Sequence, residues 1–168
     1  MGYHTDFTGG LEIFDKNGKE AKLDDKTANL IIKLSETRRM KRDSQKLATR
    51  LRISHEECIR LYGKEGEFYF HKDNDMGQTH TDDIVNFNYP PSTQPGLWCD
   101  WTYNYQDNVI EWDGSEKTYD SEEWITYISK ILSPRGYTLR GNIYWFGEDR
   151  DDVGNINVNG SQSVNIIA

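Results

Sequence analysis

The densest group of potential metal ligands lies between His71 and Asp83, where His71, Asp73, Asp75, His80 and Asp82 offer imidazole and carboxylate donors within thirteen residues. Imidazole with carboxylate suits zinc, manganese or iron, and such a set would serve a metal-dependent hydrolase. The spacing matches no defined site, and Asp, Asn, Gly and Thr also compose ordinary solvated turns. A second acidic run, Glu148-Asp149-Arg150-Asp151-Asp152-Val153-Gly154, departs from a calcium-binding EF-hand: Val153 replaces an oxygen ligand, and Gly160 stands where the closing glutamate belongs. It reads as a hairpin tip that keeps a sheet edge charged.

Glu111, Asp113 and Glu116 flank Trp112. In an alternating strand Glu111 and Asp113 share the face opposite Trp112, as a general acid and base acting on a sugar would, although any half-solvated strand has this pattern. Cys58 follows His55 by three residues, so a helix puts thiol and imidazole on one face; a small buried thiol is the commoner outcome. Cys99, between Trp98 and Trp101, reads as packing. Gly9-Gly10 lacks a following lysine and Gly63-Lys64-Glu65-Gly66 lacks the spacing of a phosphate loop. No catalytic residue and no cofactor follow from these motifs.

Charge and aromatic content point instead to binding. The chain has 168 residues and a net charge of -8, from 20 Lys and Arg against 28 Asp and Glu. General affinity for nucleic acid needs a basic face, which this balance argues against. The charge is segregated: residues 36–52 carry +5 through Arg38, Arg39, Lys41, Arg42, Lys46, Arg50 and Arg52, whereas residues 73–116 contain no Lys or Arg and nine carboxylates. All five tryptophans fall within 48 residues, from Trp98 to Trp145. Most such rings pack inside, but Trp98 and Trp101 have opposite strand parity, so one of them points away from the face on which the other packs. Two contact faces are therefore expected: the basic segment with Arg38, Arg39 and Arg42, and an aromatic, acidic face with Trp98, Trp101, Glu111, Trp112 and Asp113.

The elements that position these residues can be read from periodicity. Tyr3 to Ile13 alternates as a strand, kinked at Gly9-Gly10. Asp24 or Asp25 caps a helix that continues, as one helix or two, to about Ile53. Ser54 and Glu57 form a capping box for a short third helix ending at Gly63. Glu67 to Phe70 reads as an aromatic strand, Lys72 to Asp83 as a polar loop, and Ile84 to Phe87 as a short strand. Leu97–Tyr105 and Val109–Trp112 form a hairpin. Asp120 caps a helix to Leu132 whose Trp124, Tyr127, Ile128, Ile131 and Leu132 share one face. Tyr137–Phe146 is a strand, and Ile156–Val158 with Val164–Ile167 makes a hairpin at Asn159-Gly160. The fold class is α+β: a mainly antiparallel sheet, one amphipathic helix (about 120–132) on a face, and two or three first-half helices packed beside it. Without a Gly/Ser/Pro linker, residues 1–168 read as a single domain.

No apolar stretch approaches membrane-spanning length. The start lacks a secretory pattern, and two cysteines are too few for a disulfide framework, so a soluble cytoplasmic protein with reduced thiols is expected. The segments Gly2-Tyr3-His4-Thr5-Asp6-Phe7, Glu36-Thr37-Arg38-Arg39-Met40-Lys41-Arg42-Asp43, Pro95-Gly96-Leu97-Trp98-Cys99, Ile110-Glu111-Trp112-Asp113-Gly114 with Glu116-Lys117, and Gly147-Glu148-Asp149 with Asp151-Asp152 together resemble a family of small uncharacterised proteins encoded by bacteriophages and prophages. That resemblance spans most of the chain and implies the infected bacterial cytoplasm as the setting. The function expected is non-enzymatic binding of a host protein or a small anionic ligand. A nucleotide sponge and the metal-dependent hydrolase are the alternatives.

Overall fold

Alternating side chains from Thr5 to Asp15 fold into two strands, β1 (Thr5–Thr8) and β2 (Gly10–Asp15), separated by Gly9. Both pair antiparallel with one long strand, β7 (Tyr137–Gly147). The kink needs glycine. Gly9 has φ +95°, and a Cβ there would sit 2.6 Å from the Asn142 carbonyl oxygen.

The computed structural model describes residues 3–115 and 117–160, and the backbone of 164–167. It is an α+β chain. The remaining elements are α1 (Asp25–Glu36), β3 (Lys41–Arg42), α2 (Ser44–Leu51), α3 (His55–Tyr62), β4 (Ile84–Asn86), β5 (Trp101–Asn104), β6 (Val109–Trp112), α4 (Ser121–Leu132), β8 (Val153–Asn159) and β9 (Val164–Ile167). No described helix is long and apolar enough to cross a membrane. The chain divides into two compact units, Met1–Ile32 with Asp100–Ala168, and Lys33–Cys99.

The first unit holds an antiparallel sheet in the order β5-β6-β2-β7-β8-β9, with β1 also on β7. One face buries Leu11, Ile13, Trp101, Tyr103, Ile110, Leu139, Ile143, Ile156 and Val158. The amphipathic helix α4 lies against β7 and β9 and buries Trp124, Ile125, Ile128, Ile131 and Leu132. Asp24 starts α1 by accepting hydrogen bonds from the Thr27 amide at 2.9 Å and its hydroxyl at 2.8 Å. Asp120 stands at the cap position of α4 but makes no side-chain capping bond, because its φ of +54° places it in the left-handed region.

The second unit departs most from the helical reading of residues 36–52. Helix α1 ends at Glu36; residues 37–40 are irregular, and β3 pairs with β4. Asp43 then caps α2, its carboxylate accepting from the amides of Gln45 at 2.9 Å and Lys46 at 3.0 Å. Ser54 caps α3 through the Glu57 amide at 3.1 Å, and Gly63 ends it. Glu67 to Phe70 is irregular backbone, since the carbonyls of Gly66, Glu67 and Tyr69 bind a guanidinium in place of a neighbouring strand. Leu47, Ala48 and Cys58 form this unit's small core, with Leu51, Ile53, Tyr62 and Tyr69 against it.

Candidate functional site

Four arginines of residues 38–50 converge on the loops of the 33–99 unit, where the amides of Arg38, Arg39, Lys41 and Arg42 bond to the carbonyls of Met76, Leu97, Tyr89 and Glu65. Arg39 and Arg42 are both buried and Arg38 is half-buried, while about two turns of α2 bring Arg50 back toward Arg42's partner. Arg39 is 1% exposed: its Nη2 donates to the carbonyls of Gly66, Glu67 and Tyr69 at 3.3, 2.8 and 3.1 Å, and its guanidinium lies 4.7 Å from the Phe70 ring centre. Gln94 donates to the same Glu67 carbonyl at 2.8 Å.

Arg42 and Arg50 share one carboxylate. Asp83 is fully buried and accepts from Arg42 Nη1 at 2.6 Å and from Arg50 Nε at 2.8 Å. Burial alone would raise its pKa, but hydrogen bonds from Arg50, Arg42 and Thr81 outweigh that and hold it at about 2. Tyr69 completes the group, with both guanidinium carbons 5.0 and 5.4 Å from its ring centre and its hydroxyl 3.1 Å from Arg50 Nη2 and from His71 Nδ1.

Arg38 differs from these three. Its guanidinium carbon lies 4.4 Å from the Phe87 ring centre and 5.8 Å from that of Trp98, and its Nε donates to the Phe87 carbonyl at 3.2 Å. Its side chain is half-buried, and desolvation lowers its pKa with no opposing contribution from a carboxylate. Among the described residues its two Nη groups have no hydrogen-bond partner. A guanidinium held against rings with both Nη groups unused is a bidentate donor for a carboxylate or phosphate.

A groove of about 660 Å³ lies in the same unit, lined by Tyr62, Phe68, Phe70, His71, Lys33 and Lys72 among others. Its wall is fixed by Asp73, which accepts from the amides of Asp75 and Gly77 at 2.8 Å and of Thr79 at 3.0 Å. Burial opposes these bonds without cancelling them, so the Asp73 carboxyl stays well below the usual carboxylate range. The bonds occupy the carboxylate that the metal reading needed. His71 Nε2 is 3.9 Å from Asp73, while Asp75, His80 and Asp82 are exposed. Among the described residues no three His, Cys, Asp or Glu side chains come together to hold a metal ion.

The other contact face is dispersed as well. Trp101 is fully buried and donates from Nε1 to the Ser121 carbonyl at 2.9 Å; Trp112 donates to Thr118 Oγ1 at 3.0 Å. Glu111 accepts from Asn104 Nδ2 at 3.3 Å, whereas Asp113 lies past the end of β6 and accepts from the Ser115 amide at 3.0 Å. Glu116 lies outside the described residues. The strand-parity argument for Trp98 fails because β5 begins at Trp101. Arg39 and Arg42 are likewise inside and cannot present charge to a partner. For the cysteine reading, His55 Nε2 is 2.8 Å from Ser44 Oγ, and burial raises the pKa of the Cys58 thiol, with the Asp83 charge adding to it.

Sequence reasoning missed Asp100. It is 5% exposed, and burial followed by the charge of Asp113 pushes its carboxyl up to about 7. Its place beside three aromatic residues gave no sign that its neighbour in space is another carboxylate. Compared with known proteins, the chain matches no family model, no curated protein and no solved structure.

Proposed function

We propose that this chain is a non-enzymatic binding protein of the bacteriophage-infected bacterial cytoplasm, and that it recognises an anionic host partner or signal molecule through Arg38. The reading rests on one observation: of the four clustered arginines, Arg38 is the one whose terminal nitrogens have no hydrogen-bond partner among the described residues while its ring contacts and the Phe87 carbonyl hold it in place. A desolvated charge without a counter-charge is costly, and an oxyanion from outside removes that cost. Phe87, against which the guanidinium lies, is itself 39% exposed and offers apolar surface to whatever carries the anion.

The test is a comparison of the wild type with Arg38→Ala. Pull-down from nuclease-treated bacterial lysate and titration with inorganic phosphate, benzoate and nucleoside monophosphates should each be run on both. Loss of a captured host protein, or at least a tenfold loss of anion affinity, supports the reading. Arg38→Lys should not restore it, because an ammonium cannot reproduce the bidentate fork. Capture and affinity that survive Arg38→Ala overturn it. The groove favours a second reading, the nucleotide sponge: a base between its rings with phosphate toward Lys33 or Lys72 would raise the melting temperature with micromolar nucleotide, and Lys72→Ala would abolish that rise.

A further inference from the structure

A chain of hydrogen bonds that ends at His71 fixes what the groove of the 33–99 unit can offer a ligand. Asp83 accepts from Arg50 Nε at 2.8 Å, Arg50 Nη2 lies 3.1 Å from the Tyr69 hydroxyl, and that hydroxyl lies 3.1 Å from His71 Nδ1. A guanidinium has only hydrogens to give, so the hydroxyl accepts from Arg50. Its own hydrogen then has one acceptor among the described residues, the Nδ1 lone pair of His71. A neutral imidazole that accepts at Nδ1 carries its proton on Nε2. Asp73 does not take that proton: its Oδ2 stands 3.9 Å from Nε2 and accepts from the Thr79 amide at 3.0 Å. Among the described residues Nε2 has no hydrogen-bond partner, although the His71 side chain is only 16% exposed.

His71 shares the groove with Tyr62, Phe68 and Phe70, and its volume of about 660 Å³ suits a small molecule. One wall is set by tight backbone packing. The Met76 carbonyl accepts from the Arg38 amide at 2.9 Å, and Gly77, at φ +76°, sits so close that a Cβ there would run into Thr37 Cγ2. Of the two lysines in the lining, Lys33 lies 3.7 Å from Glu36, whereas Lys72 has no ion pair among the described residues.

Building on the nucleotide reading of this groove, we infer that it takes a nucleoside monophosphate, with His71 Nε2 as a fixed donor to the base edge and Lys72 at the phosphate. Planar faces pack on the aromatic lining, and an acceptor in the plane of the ring meets the Nε2 proton. An oxyanion at Nε2 would face the Asp73 carboxylate as well, so the acceptor there is a neutral base atom. A purely aliphatic ligand would leave the half-buried Nε2 proton unpaired. One lysine without an ion pair suits a single phosphate, and the carboxylates of Glu36 and Asp73 in the lining oppose a longer polyphosphate.

The experiment uses the full chain and has two arms. In the free protein at pH 8, imidazole nitrogen NMR shifts should place the His71 proton on Nε2, and Tyr69→Phe should let the two tautomers mix. A proton on Nδ1 in the wild type overturns the inference whatever binds. In the second arm, titration with adenosine, guanosine, cytidine and uridine monophosphates should find one that binds and moves the His71 Nε2–H resonance. His71→Phe should weaken that binding about tenfold, as loss of a buried hydrogen bond does. His71→Gln, whose amide N–H reaches the Nε2 position, should recover most of it, and the corresponding triphosphate should bind no more tightly than the monophosphate. Unliganded melting temperatures check folding, and the wild-type resonance shift carries the test if a substitution unfolds the chain. Binding that Lys72→Ala abolishes but His71→Phe leaves unchanged overturns the role of His71 while the groove reading stands. If none of the four binds, the groove reading itself fails and the assignment of His71 falls with it.

Discussion

In the unit built on the seven-stranded sheet, Leu11, Ile13, Ile110, Leu139, Ile143 and Ile156 are fully buried and Asp100 is the one buried charge-bearing side chain among the described residues. In the 33–99 unit, Arg39, Arg42 and Asp83 are buried beside Met40, Leu47 and Cys58. The first unit is stabilised by apolar area, to which each buried CH₂ contributes about 0.8 kcal/mol. The second has few apolar residues to bury and instead uses guanidinium groups as multivalent clamps: one Arg39 nitrogen holds three loop carbonyls, and one Asp83 carboxylate holds two arginines. A loop-rich segment with little secondary structure needs such clamps, because its backbone carbonyls lack strand partners and must be satisfied when buried.

The largest way to break this comparison is Asp83→Ala. Removing the shared carboxylate leaves Arg42 buried without its counter-charge, and such losses cost about 3–5 kcal/mol. Denaturant unfolding of the variant should show that loss, and amide exchange should accelerate throughout residues 33–99. A change under 1 kcal/mol would mean that the clamp is dispensable and that the small core around Leu47 and Cys58 suffices.

The two units should also respond to pH with opposite signs. Asp83 is held at about 2, below its ordinary 3.8, so the stability it provides is full above pH 4 and is lost as pH falls through 2. Asp100 is raised from 3.8 to about 7, so the folded state retains a proton that the unfolded state has released. Its contribution is favourable below pH 4 and declines as pH rises toward 7. Asp100→Asn should therefore raise stability at pH 8 by on the order of 2–4 kcal/mol, change little at pH 4, and flatten the slope between those values. Melting temperatures of wild type and variant from pH 4 to 8 would test this, and parallel curves would count against it.

These contrasts also mark what the sequence could convey. The sheet unit was legible: the alternation in Tyr3–Ile13 and Tyr137–Phe146, the glycine kink and the amphipathic 120–132 helix all follow from period and burial. The arginine-rich segment was misread because its helical spacing does not reveal that α1 ends at Glu36 and that residues 37–42 run as irregular backbone and a two-residue strand. Nothing local reveals that Arg39 and Arg42 are interior. Their partners, Gly66 to Tyr69 and Asp83, are 27 to 41 residues away in sequence. Arg38 and Trp98 were identified as contact residues and do meet, but Phe87, which joins them, stood in what read as an ordinary short strand. The acidic loop 71–83 offered donors for a metal, and its main carboxylate, Asp73, instead binds the loop's own amides.

Helix caps give the smallest and sharpest contrast. Ser54 and Asp120 precede equivalent sequence patterns, each followed by a glutamate three residues later, yet one caps and the other does not. Ser54 is extended, at φ -69° and ψ 156°, which aims its hydroxyl at the Glu57 amide; Asp120 is left-handed, which turns its carboxylate away from the first turn of α4. Ser54→Ala should therefore cost about 1 kcal/mol in denaturant unfolding. Asp120→Gly should cost nothing or stabilise by a few tenths of a kcal/mol, since glycine accepts φ +54° without strain and no capping bond is lost. Equal costs at the two positions would show that Asp120 caps α4 in solution, and that the αL geometry is not the state that carries the helix.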